Sequence, residues 1–177
     1  MRAFVAVEVS DPDIRDAIAE FQDGFPVRAR AIGPDSLHFT LIFLGEISES
    51  QNRQVQDSLG TIAFEPFEIK LAGVGAFPNT RSPRIIWIGT DPIGGRRLTS
   101  LAGAVCDRLL PLNFRNDRPF VPHVTVFRVR NRVDVSEDLA GYGDAGFGAC
   151  IISEIKLKQS VLTPQGPRYS DLQVISA

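Results

Sequence analysis

Residues 3–9, AFVAVEV, are β-branched and aromatic enough to form a strand, and Ile14, Ala17, Ile18 and Phe21 then recur at helical spacing. Ser10 or Asp11 serves as the cap of that helix, with Pro12 in its first turn. Past Gly33-Pro34, LHFTLIFLGEI reads as a second strand, ESQNRQVQDSLGTI as a helix and FEIKLAGVGAF as a third strand. The order begins again near Arg84. RIIWIGT is a strand, Leu98, Leu101, Val105 and Leu109 mark a helix after Asp91-Pro92, and PHVTVFRVR is a strand.

The two rounds resemble each other. E-I-K-L occurs in FEIKLAGVGAF and again in ISEIKLKQSVL, Ile152 to Leu162. Val5 precedes His38 by 33 positions and Ile86 precedes His123 by 37. Self-similarity on this scale predicts equivalent supersecondary units. No low-complexity linker divides them, so residues 1–177 are expected to form a single domain of two pseudo-symmetric lobes. The fold class expected is α+β, bilobal, with duplicated strand-helix-strand units and mainly antiparallel sheets facing a central groove.

The repeat also places the chemistry. The chain has 2 histidines, and each lies two positions before a threonine, His38 with Thr40 and His123 with Thr125. Alternation along a strand puts each imidazole and its hydroxyl on one face. Imidazole exchanges protons near neutral pH, and a hydroxyl can donate to a phosphoryl oxygen. In-line cleavage of a phosphate ester needs a base behind the attacking oxygen and an acid at the leaving one, which two facing histidines supply. A single such histidine would read as a structural residue; the duplication favours chemistry. Two histidines without clustered Cys, Asp or Glu fall short of a zinc ligand set, so no metal is expected. G-x-S-x-G is absent, and GYGDAG at 141–146 lacks the strand-to-helix setting of a dinucleotide fingerprint, so it reads as a turn.

A net charge of -2 confines any nucleic-acid contact to a local patch. Arg128, Arg130 and Arg132 could follow a nucleic-acid backbone, with Arg28 and Arg30 or Arg81 and Arg84 adding to a basic rim. Cys106 and Cys150 lack metal spacing and read as reduced thiols of a cytoplasmic protein, and neither a signal peptide nor a membrane span is expected.

These motifs resemble the two-histidine (2H) phosphoesterases, and within them the RNA 2′,3′-cyclic phosphodiesterases also known as 2′-5′ RNA ligases. The similarity runs through MRAFVAVEV, LHFTLIFLGEI, GVGAFP, RPFVPHVTVFR and the terminal GPRY. It implies a bilobal α+β fold with a central groove, no metal or nucleotide cofactor, and hydrolysis of 2′,3′-cyclic phosphate at RNA 3′ ends to a 2′-phosphate. A reverse reaction forming 2′-5′ linkages is implied as well. By position, His38, Thr40, His123 and Thr125 look like the catalytic set, Arg128 like a phosphate contact and Phe120 like an aromatic near the nucleoside.

Phe43 stands at the offset in the first motif that Arg128 holds in the second, and joins Arg128 and Phe120 as a candidate substrate contact. His123 is expected to activate water and His38 to protonate the departing O3′, the roles exchanging if substrate binds reversed. Strict alternation sets Arg128 on the face away from His123, so a bulge, strong twist or strand end near Phe127 is required. The expected protein is a cytoplasmic monomer. Its rivals are a phosphodiesterase for small cyclic nucleotides or ADP-ribose cyclic phosphate, and a non-catalytic RNA-binding module.

Overall fold

Each predicted strand and helix is present in a computed structural model that describes residues 1–177. In chain order they are β1 (Arg2–Glu8), α1 (Pro12–Gly24), β2 (Arg30–Ala31), β3 (His38–Glu46), α2 (Glu49–Leu59), β4 (Phe67–Phe77) and β5 (Ile85–Thr90). There follow α3 (Pro92–Leu109), β6 (Val124–Arg128), α4 (Ser136–Leu139), β7 (Gly146–Ile152), β8 (Glu154–Thr163) and β9 (Gly166–Ser176). Asp11, rather than Ser10, caps α1, its carboxylate accepting from the N–H groups of Asp13 and Ile14. Ser48 and Gln51 close a capping box on α2. No helix is long and apolar enough to cross a membrane.

All nine strands join one sheet, and every pairing is antiparallel. Its order is β7-β4-β5-β6-β3-β1-β8-β9, with β2 beside β6. Two lobes meet at the centre, where β3 and β6 pair only at Phe39 and Val124. Outward from that pair the order is β6, β5, β4, β7 on one side and β3, β1, β8, β9 on the other. The two E-I-K-L segments therefore hold equivalent third places, Glu68–Leu71 on β4 and Glu154–Leu157 on β8.

The lobes are not the two halves of the sequence. β4 follows β3 in the chain but lies in the lobe of β6, and β8 returns to the lobe of β1 and β3. α1 crosses over in the same way, packing on β6 and β7, while α3 spans the join, packing on β3 and β4. Periodicity identifies a repeat but not which lobe its members join, because the pairing partner is a long-range choice.

Helices cover one face of the sheet and leave the other as the groove. Ile14, Ile18, Val55, Leu59, Leu98, Val105 and Leu109 join the strand residues Phe39, Val124 and Val126 in one buried core. On the groove face beside β1, charges are packed instead. Lys156 Nζ lies 2.6 Å from Glu8 Oε2 and 2.9 Å from Asp171 Oδ2, and Lys158, only 4% exposed, pairs with the same two carboxylates. Burial would raise the Glu8 pKa, but the bonds from Lys156 and Lys158 outweigh it and hold the carboxyl below the usual 4.5.

A carboxyl with a depressed folded pKa stabilises the fold above its unfolded pKa, and that stability is lost as pH falls through the folded value. Glu8→Ala is therefore expected to cost roughly 1–3 kcal/mol at pH 7, since Asp171 alone then serves two lysines. Thermal melts of both proteins from pH 7 to pH 3 check this: the gap should close below pH 4.5. A gap that stays constant across that range contradicts the pairing.

Candidate active site

The single Phe39–Val124 pair fixes the position of both H-x-T sets. Phe39 and Val124 are buried toward the helices, so the residues flanking them point into the groove. Continuing the antiparallel register one residue each way sets His38 beside Thr125 and Thr40 beside His123. The two histidines then lie on a diagonal across the join.

Both imidazoles are held alike. His38 Nδ1 lies 2.7 Å from Ser36 O, and His123 Nδ1 lies 2.7 Å from Val121 O. A carbonyl only accepts, so Nδ1 carries the proton in each ring and the neutral form presents a lone pair at Nε2. Aromatic rings confine them further. His38 packs against Phe4 at 5.1 Å and Tyr169 at 5.4 Å, and His123 against Phe77 at 5.2 Å and Trp87 at 6.2 Å. Gly75 makes room for the Trp87 ring, because a Cβ there would lie 2.3 Å from Cζ2.

Their electrostatics differ. Burial pushes His38 from the ordinary 6.5 down to about 4, opposed by the Ser36 carbonyl and reinforced by Lys158 and Arg128. Burial lowers His123 as well, against the Val121 carbonyl. Where the first lobe has the lysine–carboxylate cluster, the second has the indole of Trp87.

The bulge that Arg128 requires is present. Thr125 pairs with Trp87 and Phe127 with Ile86, which leaves Val126 as an extra residue on β6. Val126 and Phe127 are consequently both buried, and Arg128 returns to the face of His123 and Thr125. The first lobe repeats this. Thr40 pairs with Ala6 and Ile42 with Val5, leaving Leu41 extra, so Leu41 and Ile42 are buried and Phe43 is 67% exposed on the groove face. Phe43 and Arg128 thus hold equivalent places.

Of the other residues singled out in the sequence, Phe120 is half-buried and packs against the core. Arg30 lies directly across from Arg128 in the β2–β6 register, so the two share a face. Arg28, Arg81, Arg84, Arg130 and Arg132 are exposed, and none is ion-paired. β6 stops at Arg128, so the alternation expected through Arg132 does not continue. GYGDAG forms a short 3-10 turn, and Cys106 and Cys150 are free thiols on α3 and β7. Sequence reading gave no role to Tyr169, quoted only within GPRY, and it missed Lys158, Trp87, Gln22 and Asn116. Only the lack of an apolar partner for a lysine in a strand pattern hinted at Lys158.

A sheet of this topology, carrying two H-x-T sets across one groove, defines a two-histidine phosphoesterase. The family model for LigT-like phosphoesterases matches residues 7–87. The chain is 42% identical to the RNA 2′,3′-cyclic phosphodiesterase of Archaeoglobus fulgidus, over 98% of this chain and 99% of that protein. It is 35% identical to the enzyme of the same name from Methanothermobacter thermautotrophicus, over 98% and 97%. Among solved structures, Escherichia coli LigT complexed with 3′-AMP superposes with a TM-score of 0.83 at 26% identity, covering 99% of this chain and 97% of that one. TT0787 of Thermus thermophilus superposes with a TM-score of 0.79 at 29% identity, over 99% and 97%. The chain belongs to the LigT-like phosphoesterases, the family of these RNA 2′,3′-cyclic phosphodiesterases.

Trp87 is the 1 tryptophan of the chain, which makes the second site observable. Protonating His123 sets a cation beside the indole and should quench its emission. Because burial lowers the His123 pKa, the quench is expected to have its midpoint below pH 6.5 and to vanish in His123→Ala. An unchanged titration in that variant would rule out the contact.

Proposed function

We propose that the chain, acting as a single two-lobed domain, hydrolyses the 2′,3′-cyclic phosphate at RNA 3′ ends to a 2′-phosphate by paired histidine acid-base catalysis. The observation that carries this reading is the shared groove face of His38, Thr40, His123 and Thr125, with both Nε2 atoms free to exchange protons. Family membership supplies the substrate class. The protein is read as a cytoplasmic monomer, with joining of ends through 2′-5′ linkages as the reverse reaction.

In this mechanism His123 Nε2 takes a proton from water as its oxygen attacks phosphorus. The P–O3′ bond breaks in line, and His38 Nε2 delivers its proton to O3′. Burial lowers both rings, so in the free protein a single proton rests on His123 and must pass to His38 for these roles, which exchange if substrate binds reversed. The phosphodiester anion draws the proton onto His38 as it binds. Thr40, Thr125 and Arg128 donate to the non-bridging oxygens as charge builds there. Phe43, exposed beside His38, offers a face on which the terminal base can stack, and Phe120 borders the nucleoside from the loop before His123.

His38→Ala and His123→Ala are each expected to lower kcat on an oligonucleotide ending in 2′,3′-cyclic phosphate by about 10²- to 10⁴-fold, with Tm little changed. Near-native turnover in either variant contradicts the pair. The wild-type kcat/KM should trace a bell in pH. Below about 4 both rings are protonated and no base remains; above the lowered pKa of His123 both are neutral and no acid remains. The maximum is therefore expected on the acid side of 6.5, and a maximum above pH 7 would contradict the titration of two buried imidazoles.

Arg128 gives a separate test. Its fork can hold two phosphoryl oxygens, which an ammonium cannot reproduce. Arg128→Ala should lower kcat/KM by about 10²-fold, with Arg128→Lys recovering little of it and Arg132→Ala staying near wild type. If Arg128→Ala stays within about twofold of wild type, Arg128 makes no contact with the reacting phosphate.

A further inference from the structure

We propose that Gln22 and Asn116 are positioning residues, each clamping the bulge that turns a groove side chain toward the substrate: Gln22 for Arg128 and Asn116 for Phe43. This rests on the phosphate role proposed for Arg128.

At each bulge a side-chain amide reaches the carbonyl of the extra residue. A bulged residue is left out of strand pairing, and its backbone groups must be satisfied elsewhere. The bulged residues are Val126 and Leu41, each directly after the threonine of its H-x-T. Because β3 and β6 separate on both sides of Phe39–Val124, neither bulge can bond across to the other H-x-T strand.

Both bonds come from amides distant in sequence. Gln22 Nε2 donates to Val126 O at 2.9 Å and to Ile32 O at 2.9 Å, using both of its hydrogens. The same Val126 carbonyl accepts from Ile32 N at 2.9 Å. Asn116 Nδ2 donates to Leu41 O at 3.0 Å. The arrangement follows the crossing of the helices. Gln22 belongs to α1, which packs on β6, and Asn116 follows α3, which packs on β3. Each half of the chain thus clamps the H-x-T strand of the other.

The bulge sets which side chain faces phosphate. Were β6 to pair regularly past Thr125, parity would bring Phe127 into the groove and turn Arg128 toward the helices. Were β3 to do so, Leu41 and Ile42 could not both stay buried and Phe43 would leave the groove. A donor fixed on the bulge carbonyl holds the register that keeps Arg128 and Phe43 beside the histidines.

A double-mutant cycle tests the clamp apart from general stability. Gln22→Leu should lower kcat/KM for the cyclic-phosphate oligonucleotide about tenfold, mainly in kcat, because Arg128 acts on oxygens that gain charge in the transition state. In the Arg128→Ala background the same change should cost less than about twofold, since nothing remains to be aimed. Should Gln22→Leu fail to fold, Gln22→Asn, one methylene too short to reach both carbonyls, takes its place in the cycle. A loss of equal size in both backgrounds would make Gln22 merely structural and overturn the proposal. If Arg128→Ala is itself silent, the fault lies in the phosphate role of Arg128, and the Gln22 clamp falls with it. Asn116→Ala paired with Phe43→Ala should show the same non-additivity; full additivity there removes Asn116.

Discussion

One backbone pairing, Phe39 with Val124, organises the rest of the molecule. It is the only rung joining β3 to β6, and it stands at the middle residue of both H-x-T motifs. Placing the join there sends Phe39 and Val124 to the helix side and all four polar residues to the groove. A shift of one residue in that register would bury the histidines and expose Phe39, whose burial contributes roughly 1.5–3 kcal/mol. Packing of the core and alignment of the chemistry are therefore the same constraint.

On this symmetric frame the surroundings are unequal, and the inequality gives the groove a direction. Equivalent bulges present Arg128 in one lobe and Phe43 in the other. A cation and an aromatic ring thus hold matching positions in the two lobes. Equivalent imidazoles meet a buried lysine–carboxylate cluster on one side and an indole on the other, and burial drives the His38 pKa well below that of a solvated imidazole. Two rings with the same tautomer and the same backbone bond thus stand in different surroundings.

Much of this was legible in the residues. The two H-x-T sets and the E-I-K-L repeat are local patterns, and both segments occupy equivalent places in the sheet. Parity along VTVFR required a bulge before Arg128, and Val126 supplies it. What the residues could not show depends on partners distant in sequence. The exchange of β4 and β8 between lobes, the Lys158 pairs across 150 positions to Glu8, and the Gln22 bond across 104 positions to Val126 have no local signature. β9 was missed as a strand because its polar, half-exposed residues form an edge paired on one side only.

The central claim is that the two imidazoles approach one phosphorus from opposite sides. A crystal structure of the protein with a nucleoside 2′,3′-vanadate, which mimics the five-coordinate geometry of phosphoryl transfer, tests it most directly. The account predicts one apical oxygen within hydrogen-bond distance of His38 Nε2 and the other within the same distance of His123 Nε2, with Thr40, Thr125 and Arg128 on the equatorial oxygens. Vanadium bound with both imidazoles on one side, or with either ring turned from its apical oxygen, would contradict it.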